Sequence, residues 1–409
     1  MNKRSLIILV VDDILKVLYA PHKAFKKIIQ EPKYLGPFIL LIIFLVAQIG
    51  SSYVVASKSF VEQTMPMNAQ DDAWTQNAAL WQASSGVTVS NNTVDYMINS
   101  TAYLGTSIEF SASNVSSVWI ENNWNDLNGS VNCGVDGFKN VSLRVKIVTP
   151  DAKPESVTLY LHSLSGSNFN RDLTSTFSNS TVDVWNNITV PVGSESGWVS
   201  SSAEAKWENI TGIKMEFTWS SNQSVNLRVD GLFFRGIFQD PLEMYGASYL
   251  ASAALNAITP FLFQWLLLTG LMYIIIKGLK GKVVWKPLMV AVGFALVTLV
   301  IQALILAVAY TTLPNLYYPF EVLAGVAGEF DVAYQVILDA IATISTISGI
   351  SQMAMYVWIV ALGAIIAHDI TGIAFEGAHG LPPFGWLKSI LTSAASFLLT
   401  LLILGFILG

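Results

Sequence analysis

The sequence predicts an α-helical polytopic membrane bundle of five spans, with an all-β sandwich or jelly roll inserted on the outer side between the first two spans. Three observations predict it. Composition is that of a membrane protein: 53% of the 409 residues are apolar and 12% charged, with a mean hydropathy of +0.51. Nine Asn-x-Ser/Thr sequons begin at Asn91, Asn99, Asn114, Asn128, Asn140, Asn179, Asn187, Asn209 and Asn222, and the rest of the chain has none. Such sites are modified only on the outer or luminal side of a membrane. Roughly four or five would arise by chance in a window so rich in Asn, Ser and Thr, so the weight lies in their confinement. Charge is segregated in the same way: residues 59–240 hold 18 of the 28 acids and 9 of the 22 bases.

Residues 1–35 carry seven bases against three acids. The apolar run 5–11 is too short for a signal-peptide core, Asp12-Asp13 ends it, and no small-residue cleavage site follows. The segment reads instead as an amphipathic helix. Ile14, Leu15, Val17, Leu18 and Phe25 form one face, and Lys16, Lys23, Lys26 and Lys27 the other. It is suited to an inner leaflet, where each lysine gains about 1 kcal/mol from anionic lipid.

The first span covers about 36–57, long enough to cross a ~30 Å hydrocarbon core. The second covers 249–276 and the third 287–310. Residues 332–367 lack Lys and Arg and are divided by Gly349, which predicts an outer amphipathic stretch leading into a fourth span at 350–367. The fifth covers 389–407. Six spans, with 332–348 crossing or re-entering, is the alternative. Lys277, Lys280, Lys282 and Lys286 stand between the second and third spans and Lys388 before the fifth, whereas 311–331 has Glu321, Glu329 and Asp331 and no base. The distribution of bases puts the N-terminus and both basic loops in the cytoplasm of a cell membrane. The sequon window, the 311–331 loop and the C-terminus then lie outside.

Within 59–240, period-two alternation predicts half-buried antiparallel strands at 108–110, 141–147, 157–161, 182–192, 213–219 and 225–230. Turn formers separate them, among them Pro150-Asp151, Gly193, Gly197 and Ser220-Ser221-Asn222, and a sandwich follows. Residues near 71–82 read as a short helix. Eight of twelve tryptophans lie in this segment. Trp119, Trp207 and Trp219 adjoin strand-patterned apolar residues and read as core. Trp124 and Trp198 stand in polar surroundings and are the ligand-contact candidates. Asp126, Asp136 and Asp230 have no regular ligand spacing, so solvated acids are preferred over a calcium site.

The run Val225-Asn226-Leu227-Arg228-Val229-Asp230-Gly231-Leu232-Phe233-Phe234 resembles the last strands of carbohydrate-binding-module-like jelly rolls. The resemblance implies aromatic stacking on sugar rings. The membrane part resembles the prokaryotic branch of the Yip family, membrane proteins named for interaction with Ypt/Rab GTPases. That likeness is carried by Tyr34-Leu35-Gly36-Pro37 at the mouth of the first span and by Tyr19-Ala20-Pro21-His22-Lys23-Ala24-Phe25. The loop 278–287 and the ending Val357-Trp358 with His368-Asp369-Ile370-Thr371-Gly372 complete it. It implies five spans with a cytosolic N-terminus, and a domain of roughly 180 residues inserted where relatives have a short turn.

Catalytic chemistry has no carrier here. No nucleophile elbow, Walker motif or dinucleotide fingerprint occurs. His368, Asp369, Glu376 and His379 share the segment before the last span, but their spacing fits no zincin pattern, so no metal is expected. Cys133 is the single cysteine, which excludes an internal disulfide. Asp339 is the one acid placed near membrane depth. No cofactor is implied, and no basic tract with interleaved aromatics points to nucleic acid. The expected partners are the lipid bilayer, a glycan or envelope protein at the outer domain, and further membrane subunits. The sequence thus reads as a non-enzymatic membrane protein displaying a glycosylated binding domain, with transport through the bundle as the competing class.

Overall fold

The computed structural model describes residues 3–66, 72–97, 105–124, 129–194, 196–373 and 384–408. The chain divides into two compact units. One is helical and comprises Met1–Ser59, Asp240–Leu316 and Ala340–Gly409; the other is a β unit of Phe60–Gln239 with Tyr317–Asp339.

In the helical unit, α1 (Lys3–Tyr19) and α2 (Pro21–Gln30) replace the single N-terminal helix expected. Pro21 has no N–H to continue α1 and a φ suited to a helix start, so the chain breaks there. Val17 and Phe25 are fully buried, with Ala24, Ile28 and Ile29 beside them in the core of the helical unit. The apolar face therefore packs on protein, and only Leu15 of its expected members is exposed. Then come α3 (Leu35–Ala56), α4 (Ala247–Gly278), α5 (Trp285–Ala295), α6 (Val297–Tyr310), α7 (Phe330–Ile373) and α8 (Trp386–Leu408). Counting α5 and α6 as one, five helices among the described residues are long and apolar enough to cross a membrane, as the hydropathy predicts. The expected division at Gly349 does not occur: α7 is one helix of 44 residues. Nothing lies within 4 Å of a Cβ at Gly349, and one glycine costs a helix only about 1 kcal/mol, too little to break one so long. His368 and Asp369 lie near the end of α7 rather than in a loop.

The β unit contains β1 (Ser59–Met65), β2 (Trp81–Ala83), β3 (Thr88–Asn92), β4 (Ser107–Asn123), β5 (Asn140–Thr149), β6 (Ser156–Ser163), β7 (Asn168–Asp172), β8 (Asn186–Pro191), β9 (Val199–Ser200) and β10 (Ile210–Gln239). The turn expected at Ser220-Ser221-Asn222 is instead a bulge, where register shifts between Thr218 and Val225 while β10 continues. The strand expected over 182–192 is confined to Asn186–Pro191. The helix expected near 71–82 is two 3-10 turns, Ala73–Thr75 and Ala78–Leu80, ending in β2; Asp71 lies outside the described residues.

β10 organises the unit. Its first half pairs with the second half of β4 and with β6; its second half pairs with the first half of β4, with β5 and with β1. Inward residues of both halves meet in a single core, including Ile108, Phe110, Ile120, Leu143, Leu159, Phe217, Leu227 and Phe234. This core, with no disulfide, holds the β unit. Cys133 is free and buried within it.

Candidate glycan-binding face

Successive strand residues face opposite sides of a sheet, and here alternation places chemistry on the face away from the core. On β4, Val118 and Ile120 are buried, so Trp119 between them faces outward. On β6, Leu159 and Leu161 are fully buried and Tyr160 takes the outer side. On β10, Ile213, Met215 and Phe217 go inward, leaving Lys214 and Glu216 outside.

Strand register joins these residues into rows. Lys214 stands opposite Glu121 on β4 and opposite Tyr160 on β6. Gln82 on β2 extends the row beyond Glu121, and Asn170 on β7 extends it beyond Tyr160. In the next row Glu216 lies between Trp119 and Thr158. The Lys214 ammonium sits 5.3 Å from the Trp119 ring centroid and 5.2 Å from that of Tyr160, within cation–π range of both. It is also 3.6 Å from Glu216. Burial, and then the Glu216 carboxylate, push the Tyr160 hydroxyl up, so it stays protonated as a donor.

His162 closes the face on the Gly212 side. Its Nε2 lies 3.4 Å from Glu121 Oε1, is buried, and makes no hydrogen bond among the described residues. Burial lowers its pKa, with Glu121 opposing and Lys214 reinforcing the shift, so the ring is neutral at pH 7. A Cβ at Gly212 would stand 2.9 Å from the Asn122 carbonyl oxygen and 3.1 Å from His162 Cδ2, so a side chain there would force His162 or β4 to move.

The ligand-contact candidates of the sequence, Trp124 and Trp198, are not on this face. Trp124 is 2% exposed. It stacks on Trp74 at 4.5 Å and donates its indole N–H to the Ile210 carbonyl at 3.1 Å. It is core, and stacking on a ligand is not open to it. The polar residues around it misled, because what buries Trp124 is Trp74, fifty positions away. Trp198 is half-buried: its N–H donates to Pro191 O at 2.8 Å and its ring meets Trp207 edge-on at 5.7 Å. Trp207 and Trp219 are buried as expected; Trp119 is not core. Strict period-two reading of Val118-Trp119-Ile120 and Leu159-Tyr160-Leu161 would have found both outward rings.

Of the sequons, Asn99 and Asn128 lie outside the described residues. Asn91, Asn114, Asn179, Asn187 and Asn222 are exposed, and Asn140 and Asn209 half-buried. Asn114 has φ +59° at the bulge and accepts from Asn222 at 3.2 Å. Asn91 is tied to the Ala78 N–H and the Gln76 carbonyl. Of the three acids considered for calcium, Asp126 lies outside the described residues, Asp136 is exposed, and Asp230 is fully buried beside Asp72. Asp230 accepts from Met97 N at 2.5 Å, Gly231 N at 2.7 Å and Thr75 Oγ1 at 3.2 Å.

In the helical unit, His22 Nδ1 is 3.0 Å from Asp369 Oδ1, and His368 stacks on Trp386 at 4.4 Å. Glu376 and His379 lie outside the described residues. Among the described residues no three His, Cys, Asp or Glu side chains gather as a metal site. Asp339 is exposed and accepts from Gln335 at 2.7 Å.

No protein-family model matches the chain, and no curated protein does. Among solved structures, a Family 11 carbohydrate-binding module from Clostridium thermocellum in complex with a β-1,3-1,4-mixed-linked tetrasaccharide aligns at 14% identity, covering 42% of this chain and 94% of the module, with a TM-score of 0.27. A carbohydrate-binding module studied for promiscuous specificity in the β-sandwich superfamily aligns at 12% identity over 42% of this chain and 60% of its own, with a TM-score of 0.26. An exo-β-agarase aligns at 11% identity over 41% of this chain and 24% of its own, with a TM-score of 0.29. Likenesses with scores this low add nothing to what the domain's own residues show.

Proposed function

We propose that this chain is a non-enzymatic, membrane-held glycan-binding protein, in which five spans hold a β-sandwich that takes saccharide on its open sheet face. The observation that carries the reading is the placement of Trp119 and Tyr160 on either side of Lys214, beside Glu121, Glu216 and Asn170. Sugar rings offer apolar C–H faces to aromatic rings and hydroxyls to flanking donors and acceptors, and this face supplies both. Its ion pair leaves it without surplus positive charge, so a neutral glycan suits it better than an anionic one. Basic segments next to the spans and the confinement of the sequons support a cytoplasmic N-terminus and an outward sandwich, with a bundle similar to the Yip family's.

A glycan array with full-length protein in nanodiscs, presented multivalently, tests the reading. Wild type binds at least one neutral oligosaccharide, and Trp119→Ala or Tyr160→Ala each weakens binding roughly fivefold, on the order of 1 kcal/mol per stacked ring. No binding to any glycan, or binding indifferent to both substitutions, transfers the face to an envelope protein partner. A second reading, transport, is favoured by one observation: a cleft of about 380 Å³ in the helical unit, lined by Gln48, Ser52, Ser252 and Asn256 with Phe44 and Pro260. Solute flux in proteoliposomes that is lost in Gln48→Leu would support it.

A further inference from the structure

A second concavity, of about 270 Å³, lies on the other half of the β unit, lined by Tyr96, Met97, Arg144, Trp185, Val326 and Glu329. It falls just under the range of roughly 300–1,000 Å³ usual for sites of drug-sized ligands, so it suits one sugar ring rather than a chain. Four segments build it: the stretch before β4, Arg144 on β5, the residue preceding β8, and the 317–339 segment that belongs to this unit.

Its polar groups are held in place. Arg144, on β5, is 7% exposed and its Nη2 donates to Glu329 at 2.8 Å. That is its one side-chain hydrogen bond among the described residues, and a guanidinium has five N–H donors. Glu329 keeps its second oxygen as an acceptor. The Trp185 ring is fixed because its N–H donates to Asp95 at 3.1 Å. Asp95 is itself fixed by Lys146 at 2.9 Å and by Arg228. Next to two of the lining side chains, Gly231 has φ +55°, and a Cβ there would stand 3.0 Å from Met97 Cε and 3.6 Å from Arg144 Cγ. A larger residue would be strained and would push into the cleft's lining.

We infer that this cleft is a binding site for a single neutral pyranose, stacked on an aromatic wall of Trp185 and Tyr96 and held through two adjacent hydroxyls by the Arg144–Glu329 pair. Each hydroxyl both donates and accepts, and a paired guanidinium and carboxylate offer both roles side by side. An anionic sugar does not fit. Around the cleft Asp95, Glu109, Asp183 and Glu329 outnumber Arg144, Lys146 and Arg228, and each of these cations already has a carboxylate partner. The inference deepens the glycan reading and rests on it only for the class of ligand, since the cleft and the open face share no residue.

The test is saturation-transfer difference NMR on the full-length protein in nanodiscs, with glucose, galactose, mannose, N-acetylglucosamine and glucuronate as probes. At least one neutral sugar should show saturation, with glucuronate weaker. Measured in a Trp119→Ala background, which silences the open face, Trp185→Ala and Glu329→Gln should each reduce monosaccharide affinity tenfold or more. Glu329 is partly exposed, so Glu329→Gln keeps the shape of the site should Trp185→Ala perturb the fold. Absence of any monosaccharide signal, preference for glucuronate, or binding unchanged in both cleft variants overturns the assignment. The oligosaccharide array with Trp119→Ala reads the open face alone, so failure of one site is distinguishable from failure of the other.

Discussion

At the scale of single residues, the β unit depends on charges that are buried and paired. Arg235 donates to Glu62 at 2.8 and 2.9 Å and to Glu321 at 2.7 and 3.0 Å, and lies over the Phe320 ring at 5.1 Å. These carboxylates raise its pKa against the opposing effect of burial, which is the largest single influence. Glu62 is 5% exposed, so Arg235→Ala leaves a buried carboxylate unpaired. The expected loss is about 3–5 kcal/mol, the usual cost of breaking a buried pair from one side, read by chemical denaturation. Asp230 behaves in the opposite way. Burial above all, and then the neighbouring Asp72 carboxyl, push its pKa well above the ordinary carboxylate range. The native state thus keeps a proton that the unfolded chain releases, and stability falls as pH rises from the ordinary carboxylate range towards the raised value. Asp230→Asn should flatten that decline and melt higher than wild type at pH 7. Thermal melts of both proteins from pH 4 to pH 8 check it, and an unchanged difference across that range would remove the explanation.

At the scale of elements, α7 separates two kinds of glycine. A Cβ at Gly363 would sit 2.2 Å from Ser393 Oγ on α8, and that hydroxyl donates to the Val360 carbonyl at 2.7 Å. Close helix approach through small residues is a common way for spans to associate. Gly349, which divides the hydropathy pattern, has nothing within 4 Å of a Cβ. Gly363→Val should therefore lower the melting temperature in nanodiscs by several degrees. Gly349→Ala should be neutral or stabilising by up to about 1 kcal/mol, as in any open helix interior. A Gly349→Ala variant that loses stability would restore the division at Gly349 that the sequence suggested.

At the scale of the whole molecule, topology and domain boundaries can both be tested. Cys133 is buried and its thiol is pushed up by desolvation, so wild type should give no background with an impermeant thiol reagent. On intact cells Ser201→Cys, in the β unit, should label and Lys282→Cys, in the basic loop, should not. Labelling of Lys282→Cys alone would reverse the orientation. The β unit also extends beyond the sequence boundary, because 317–339 belongs to it. Phe233 packs on Phe320 at 4.7 Å, and the Phe320 N–H donates to Glu62 at 2.6 Å. A soluble fragment of 60–239 should thus fold as a β protein but melt below the same fragment with 317–339 fused through a flexible linker. Equal melting temperatures would show that the added segment contributes nothing.

Hydropathy and strict alternation determined much of this protein's architecture by themselves. Five apolar segments became five long helices because 18 or more apolar residues have few other places to go. The strands at 141–147 and 157–161 appeared within longer ones, because an alternating pattern can bury only one face. Local pattern failed wherever the deciding contact was distant. Trp124 looked exposed until Trp74 covered it. Ser220-Ser221-Asn222 looked like a turn until pairing with β4 carried β10 through it. The 311–331 loop looked like a simple connection, yet its Glu321 completes the partnership of Arg235. Both candidate sites have the same origin: the Trp119 face needs the register of β4, β10 and β6, and the Arg144 cleft needs Glu329, 185 positions away. A sequence determines what each residue seeks by its own hydrophobicity and charge. Only the tertiary structure decides which residue it meets, because that meeting depends on register and on chain segments whose separation leaves no local trace.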